Sequence, residues 1–193
     1  MQTNSGTSNI AVLNQAAGGN RILADGLGPA ALSRIDRDVF AQSGVRYAMI
    51  FEGVNDIGTG ANTTAAQDRI YDSLIQAYNQ IITRVHAFGI PMFGATITPF
   101  SAPGYNVTAQ SYSDPIREQT RQRVNDWIRT SGRFDAVVDF DKLLANASAP
   151  SQLDNKYNSG DYLHPNVAGY QHIADNFPLE IFTQFADGVS GFI

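Results

Sequence analysis

Short apolar runs alternate with long amphipathic segments along this chain, and that alternation points to a parallel sheet covered on both faces by helices. The runs at 10–14, 46–51, 92–97 and 136–140 are nearly continuous, as strands buried on both faces require. Between them Ile70, Leu74, Tyr78, Ile81, Val85 and Phe88 recur every three or four residues, which predicts a long helix over 65–88 ended by Gly89. Ile116, Thr120, Val124 and Trp127 repeat the pattern over 114–131. A shorter helix is expected at 30–41, and a last one near Pro165, a residue favoured at a first helical position. With 193 residues, 43% of them hydrophobic, the chain can bury one sizeable core, so residues 1–193 are expected to form a single domain with a loose tail from about 186.

Composition removes several functions. The formal charge is −5, and the 13 Lys and Arg are scattered without a cluster, so a nucleic-acid partner is not expected. No apolar run approaches the ~20 residues of a membrane-spanning helix, and no membrane partner is expected. The absence of cysteine excludes disulfides, thiolate nucleophiles and Cys-ligated zinc. No His-x-x-x-His spacing occurs, and Asp139, Asp141, Asp154, Asp161, His164 and Asp56 form no metal-ligand motif, so no metal is expected. Three sequons, at Asn62, Asn106 and Asn146, fall in expected loops and favour an extracellular location, although the first residues lack the basic and apolar regions of a signal peptide.

Two short stretches carry chemistry. In Gly160-Asp161-Tyr162-Leu163-His164-Pro165, an Asp three residues before a His can bond one ring nitrogen and leave the other free as a general base. His164 is the candidate base and Asp161 its orienter. In Gly53-Val54-Asn55-Asp56, just past an expected strand, Asn55 can aim its amide at an oxyanion developing on a substrate carbonyl. Gly53 is expected to serve backbone geometry, and Asp56 to bond loop amides and stiffen that turn. His86 and His172 read as packing or surface residues, and Tyr157 and Tyr162 as rim aromatics beside the His164 loop.

Together these blocks resemble the SGNH, or GDSL, hydrolase superfamily. A third block fits with substitutions: residues 14–21, Asn-Gln-Ala-Ala-Gly-Gly-Asn-Arg, match the family's glycine block, with Gly18 where Ser is frequent and Ala16 where Gly is frequent. The resemblance continues through 95–100, 124–129 and 138–141 and covers roughly residues 10 to 177. It implies a three-layer α/β/α fold with a mainly parallel, flavodoxin-like sheet of order 2-1-3-4-5. It places a second oxyanion donor at the Gly19 N–H and implies a Ser-His-Asp esterase of the microbial extracellular type, acting on small acyl esters of carbohydrates or lipid-like molecules without a cofactor.

The family's Gly-Asp-Ser nucleophile block does not occur in the sequence. Only nine residues precede the strand-like Ile10-Ala11-Val12-Leu13, which matches the family's second strand, so the first strand and its serine are expected to be absent. Ser5 and Ser8 would lie at the amino edge of the sheet, away from where ligands bind. Ser101 would lie at the correct edge, but a serine beside Ala102-Pro103 is more often a turn former. A missing central strand would forfeit hydrogen bonds worth about 1 kcal/mol each, so residues 10–14 are expected to move in beside 46–51, giving four strands, or a homodimer to fill the gap. Two other functions stay open: a non-catalytic module that binds glycan or acyl groups, and an inactive fragment stabilised by oligomerisation.

Overall fold

The computed structural model describes residues 1 and 3–191. Its first helix, α1 (Ala31–Ile35), runs on into a π-helical turn, Asp36–Phe40, so the helix expected at 30–41 is present but changes pitch midway. β1 (Ala48–Ile50) leads into a short helix not foreseen from sequence, α2 (Val54–Thr59), and then the long α3 (Thr64–Ala87). The Thr63 hydroxyl caps α3 by accepting from the Ala66 N–H, and Gly89 in the left-handed region follows its end. After β2 (Met92–Ala95) comes α4 (Pro115–Thr130), which has Asp114 as its cap and Pro at its first position.

The remaining elements are β3 (Ala136–Val138), α5 (Phe140–Leu144), the hairpin of β4 (Ala145–Asn146) and β5 (Ala149–Leu153), α6 (Val167–Asp175) and α7 (Glu180–Gln184). β1, β2 and β3 pair in that order, all parallel, with Ala48 opposite Met92 and Phe93 opposite Ala136. Ile50 and Met92 pack with Leu74, Ile81, Val124 and Ile128 of α3 and α4. Phe93, Ala95 and Val138 instead join Phe140, Ile181 and the partly buried Ile173, Phe177 and Phe182. Helices therefore cover both faces, and the chain has the three-layer α/β/α architecture expected of it.

One expected strand is not formed. Residues 10–17 have no regular structure, and Val12 and Leu13 are 72% and 60% exposed. The parallel sheet therefore has three strands rather than four, and the segment does not move in beside β1. An apolar run becomes a strand only where a neighbour accepts its backbone bonds, and among the described residues this run has no such neighbour. Among the described residues the outer edge of β1 is likewise unpaired, and Met49 on it and Phe51 just past it are 45% and 40% exposed. Of the expected tail, residues 192–193 lie outside the described residues; before them, the Val189 N–H donates to the Gly89 carbonyl.

Candidate active site

Asp161 and His164 are held by a compact loop just before α6. Their side chains meet, His164 Nδ1 lying 2.6 Å from Asp161 Oδ2. The other carboxylate oxygen accepts from the backbone N–H groups of Leu163 and His164 and from the Ser159 hydroxyl, each at 2.9 Å. Partial burial works against ionisation of Asp161, yet the hydrogen bonds from His164, Leu163 and Ser159 outweigh it and hold the carboxyl well below the usual carboxylate range. It is thus an anion able to orient an imidazole. His164 Nε2 makes no hydrogen bond among the described residues, and the side chain is exposed.

The loop is shaped locally. Asn158 Oδ1 accepts from the N–H groups of Gly160 and Tyr162, and the Ser159 N–H donates to the His164 carbonyl. These bonds hold Tyr162 at φ +59°, a conformation that costs a side-chain-bearing residue on the order of 1–3 kcal/mol. The Asn166 side chain caps α6 through the Gly169 N–H, so the last helix starts at Val167, two residues beyond Pro165. Tyr157 stacks on His172 with ring centroids 4.7 Å apart, which accounts for both as packing partners.

On the far side of the rim, Gly53 turns the chain from β1 into α2 at φ +117°, and a Cβ there would lie 2.9 Å from the Tyr78 hydroxyl and 3.0 Å from Ile97 Cδ1. Asn55 follows in the first turn of α2. Its Oδ1 accepts from the Tyr112 hydroxyl at 3.1 Å, and one Nδ2 hydrogen goes to the Asn20 carbonyl at 2.9 Å. An amide carries two N–H donors, so the second remains for a ligand oxygen. Gly19, at φ +67°, lies in the same turn as Asn20, which keeps the glycine block beside Asn55. Asp56 does bond loop amides, but of the neighbouring segment: its two oxygens accept from Ile22 and Leu23 N–H at 2.9 Å. Burial pushes the Asp56 carboxyl above its ordinary value in spite of those bonds.

Two further groups beside Asn55 and the glycine block belong to no sequence motif. Glu52, between β1 and Gly53, lines a depression of about 80 Å³ with Phe51, Val54, Ile97 and Thr98. Burial raises its carboxyl to about 7, opposed by the charge of Arg34, whose Nη2 lies 3.9 Å away, and reinforced by that of Asp56. Arg34 also donates to the Asn20 side-chain oxygen at 2.6 Å and to the Gln15 carbonyl at 2.7 Å. It thereby ties the irregular glycine block to α1. Arg34 and Arg37 stand three residues apart beside Asp36 and Asp38, a charge pattern that reads equally well as a solvated face.

Ser101 is fully enclosed, and its Oγ has no partner among the described residues, which withholds the hydroxyl from a substrate. Asp139 and Asp141 are engaged by Arg129, and Asp141 also by Arg121 at 2.6 Å. His86 Nε2 lies 2.7 Å from the Asp135 carboxylate, away from the rim residues.

The profile of the GDSL-like Lipase/Acylhydrolase family matches residues 3–172. Among solved structures, a GDSL-like lipase from Bacteroides thetaiotaomicron VPI-5482 aligns with a TM-score of 0.60 at 19% identity, over 79% of this chain and 69% of that one. A provisionally named acylhydrolase from Bacteroides fragilis NCTC 9343 gives 0.55 at 22%, over 79% and 68%. A provisionally named lipolytic protein of the G-D-S-L family from Desulfitobacterium hafniense DCB-2 gives 0.54 at 18%, over 75% and 69%. At such identities the structural likenesses speak to the fold, and no curated protein matches the chain. By the extent of the profile match, the chain belongs to the GDSL-like lipase/acylhydrolase family.

Proposed function

We propose that this domain is a carboxylic ester hydrolase that removes small acyl groups from carbohydrate or lipid-like esters. The observation that carries the reading is the His164–Asp161 pair: an ionised carboxylate 2.6 Å from Nδ1, with Nε2 left without a bond and exposed. In this reading His164 takes the proton of an attacking serine hydroxyl and returns it to the leaving alcohol. Asp161 holds the tautomer and stabilises the imidazolium. The Gly19 N–H and the second Asn55 N–H donate to the oxyanion of the tetrahedral intermediate. The depression beside Asn55 suits a short acyl chain, being about 80 Å³ and mostly apolar in lining.

In this reading no described serine is the nucleophile: no Gly-Asp-Ser occurs, Ser101 is enclosed, and the Ser159 hydroxyl donates to Asp161. We assign it to an extended segment that pairs along the open edge of β1, whose unbonded backbone and exposed Met49 and Phe51 are suited to receive a strand. Without it, catalysis should fall to what positioning and oxyanion donors supply, roughly 10³-fold to 10⁴-fold over water. The same absence favours a second reading, a degenerate hydrolase that binds acylated glycans without cleaving them. A second copy of the chain is the partner proposed for the same edge in isolation.

Short p-nitrophenyl esters, with His164→Ala alongside, distinguish these. Weak turnover that the substitution leaves nearly unchanged is expected, together with no labelling by a fluorophosphonate serine probe, whereas turnover that vanishes in His164→Ala means a nucleophile within this chain. Labelling of a serine in this chain overturns the assignment of the nucleophile, and saturable binding of an acetylated sugar with no acyl release favours the binding module.

A further inference from the structure

The base loop and the oxyanion rim come from segments more than 100 residues apart, yet one stretch of three residues touches both. Gln110 Nε2 donates to the Asp161 carbonyl at 2.8 Å, Gln110 Oε1 accepts from the Tyr112 N–H at 3.0 Å, and the Tyr112 hydroxyl donates to Asn55 Oδ1 at 3.1 Å. We propose that Gln110 and Tyr112 are positioning residues, a strap that fixes the Asn55 amide and the Asp161–His164 loop in one register. The proposal rests on the hydrolase reading for its purpose, although its geometry stands apart from it.

The strap is itself anchored on every side. The Arg117 guanidinium donates to the Ser111 carbonyl at 2.8 Å, and the Ala102 N–H donates to the fully buried Ser113 hydroxyl at 2.7 Å. The Tyr112 ring lies flush against α2, where a Cβ on Gly58 would come within 2.1 Å of it, and Phe100 meets it edge-on at 6.3 Å. Burial pushes the Tyr112 phenol above its ordinary value, opposed by the charges of Arg117 and Arg21, so it stays a donor through neutral pH. Position matters because an oxyanion donor tolerates displacements of only about 0.5 Å. With Oδ1 claimed by Tyr112 and one Nδ2 hydrogen claimed by the Asn20 carbonyl, the Asn55 amide cannot flip, and its second N–H keeps one direction.

Tyr112→Phe deletes one hydroxyl and leaves the ring packing in place. In ¹⁵N-labelled protein, with the Asn55 side-chain amide pair identified by its loss in Asn55→Ser, Tyr112→Phe should shift that pair and speed its exchange with water about threefold to tenfold. Gln110→Ala should shift the ring resonances of His164. Tyr71→Phe, on α3 beneath the Arg123 guanidinium of α4, should move neither. The proposal is overturned if the Asn55 pair stays in place in folded Tyr112→Phe, or if Gln110→Ala leaves His164 untouched. Because the readout is spectroscopic, an Asn55 response with no hydrolysis of any ester supports the strap while counting against the hydrolase reading alone.

Discussion

The two edge strands of the parallel sheet lead into different surroundings. Beside β3, Val138 is 2% exposed, and the chain leaving the strand enters an ion cluster in which Arg129 binds Asp139 and Asp141 while Arg121 binds Asp141 and Glu118. Beside β1, Met49 and Phe51 are 45% and 40% exposed with no strand alongside, and Val12, Leu13 and Leu27 are exposed as well. Folded proteins protect a bare strand edge with charge, proline or cover. Among the described residues both outer edges lack a paired strand, and the two differ in where they lead: β3 runs into the ion cluster, β1 into the glycine turn at Gly53. The candidate active site stands at the carboxyl end of the β1 edge.

Breaking the ion cluster should have the largest effect. The Arg121 side chain is 2% exposed and that of its partner Glu118 is 3% exposed, so removal of the guanidinium strands a carboxylate out of water. Arg121→Met should destabilise the domain by about 3–5 kcal/mol, the usual cost of leaving a buried charge unpaired. Urea unfolding measures it as a fall in midpoint at constant slope. A loss below about 1 kcal/mol, within the range of an exposed ion pair, would mean the cluster is decoration and the contrast between the edges lies in apolar packing alone.

Carboxylates report the same contrast. Asp139 at the β3 end is held far below its ordinary value: burial opposes ionisation, but the hydrogen bonds of Arg129 and Thr96 prevail. Glu52 at the β1 end is raised by burial from 4.5 to about 7. The folded state therefore prefers Glu52 protonated. Below pH 4.5 the group is neutral whether the chain is folded or not, and stability is undiminished; above 7 both states are ionised and the penalty is complete. A shift of that size corresponds to about 3 kcal/mol lost between pH 4.5 and 7. Glu52→Gln should flatten that window and raise the melting temperature at pH 8. Asp139, having the opposite shift, gives stability that is present above the ordinary carboxylate range and is lost only on acidification. An unchanged pH profile in Glu52→Gln would show that water already reaches this carboxyl and that the β1 end is open to its floor.

What the sequence revealed follows the reach of the interactions involved. The expected 65–88 helix matches α3 to within one residue at each end because its register, its Thr63 cap and the following Gly89 are all local. Asp161 and His164 were legible for the same reason, being three residues apart in one loop. Residues 10–14 misled because apolar content says where a strand could go and nothing about whether a neighbour is there to pair with it. α2 went unseen because Asn55, Asp56 and Gly58 are poor helix formers; the Asp56 bonds to Ile22 and Leu23 and the packing of Ile57 hold it instead. Glu52, Arg34, Gln110 and Tyr112 belong to no short motif. Tyr112 lies 57 residues from Asn55 and Gln110 lies 51 from Asp161, so only the fold brings them together.

The smallest effect on stability is expected where the edge is barest. Met49 is 45% exposed on a strand whose outer side is unpaired, so Met49→Lys removes little buried area and should change unfolding free energy by no more than about 0.5 kcal/mol. Its consequence should appear between molecules. A lysine on a strand edge resists pairing with another strand, so light scattering across a concentration series should show less self-association than in the unsubstituted chain. A stability loss of about 2 kcal/mol or more would instead show that Met49 is covered within each monomer in solution, which would leave no seat for a serine-bearing strand.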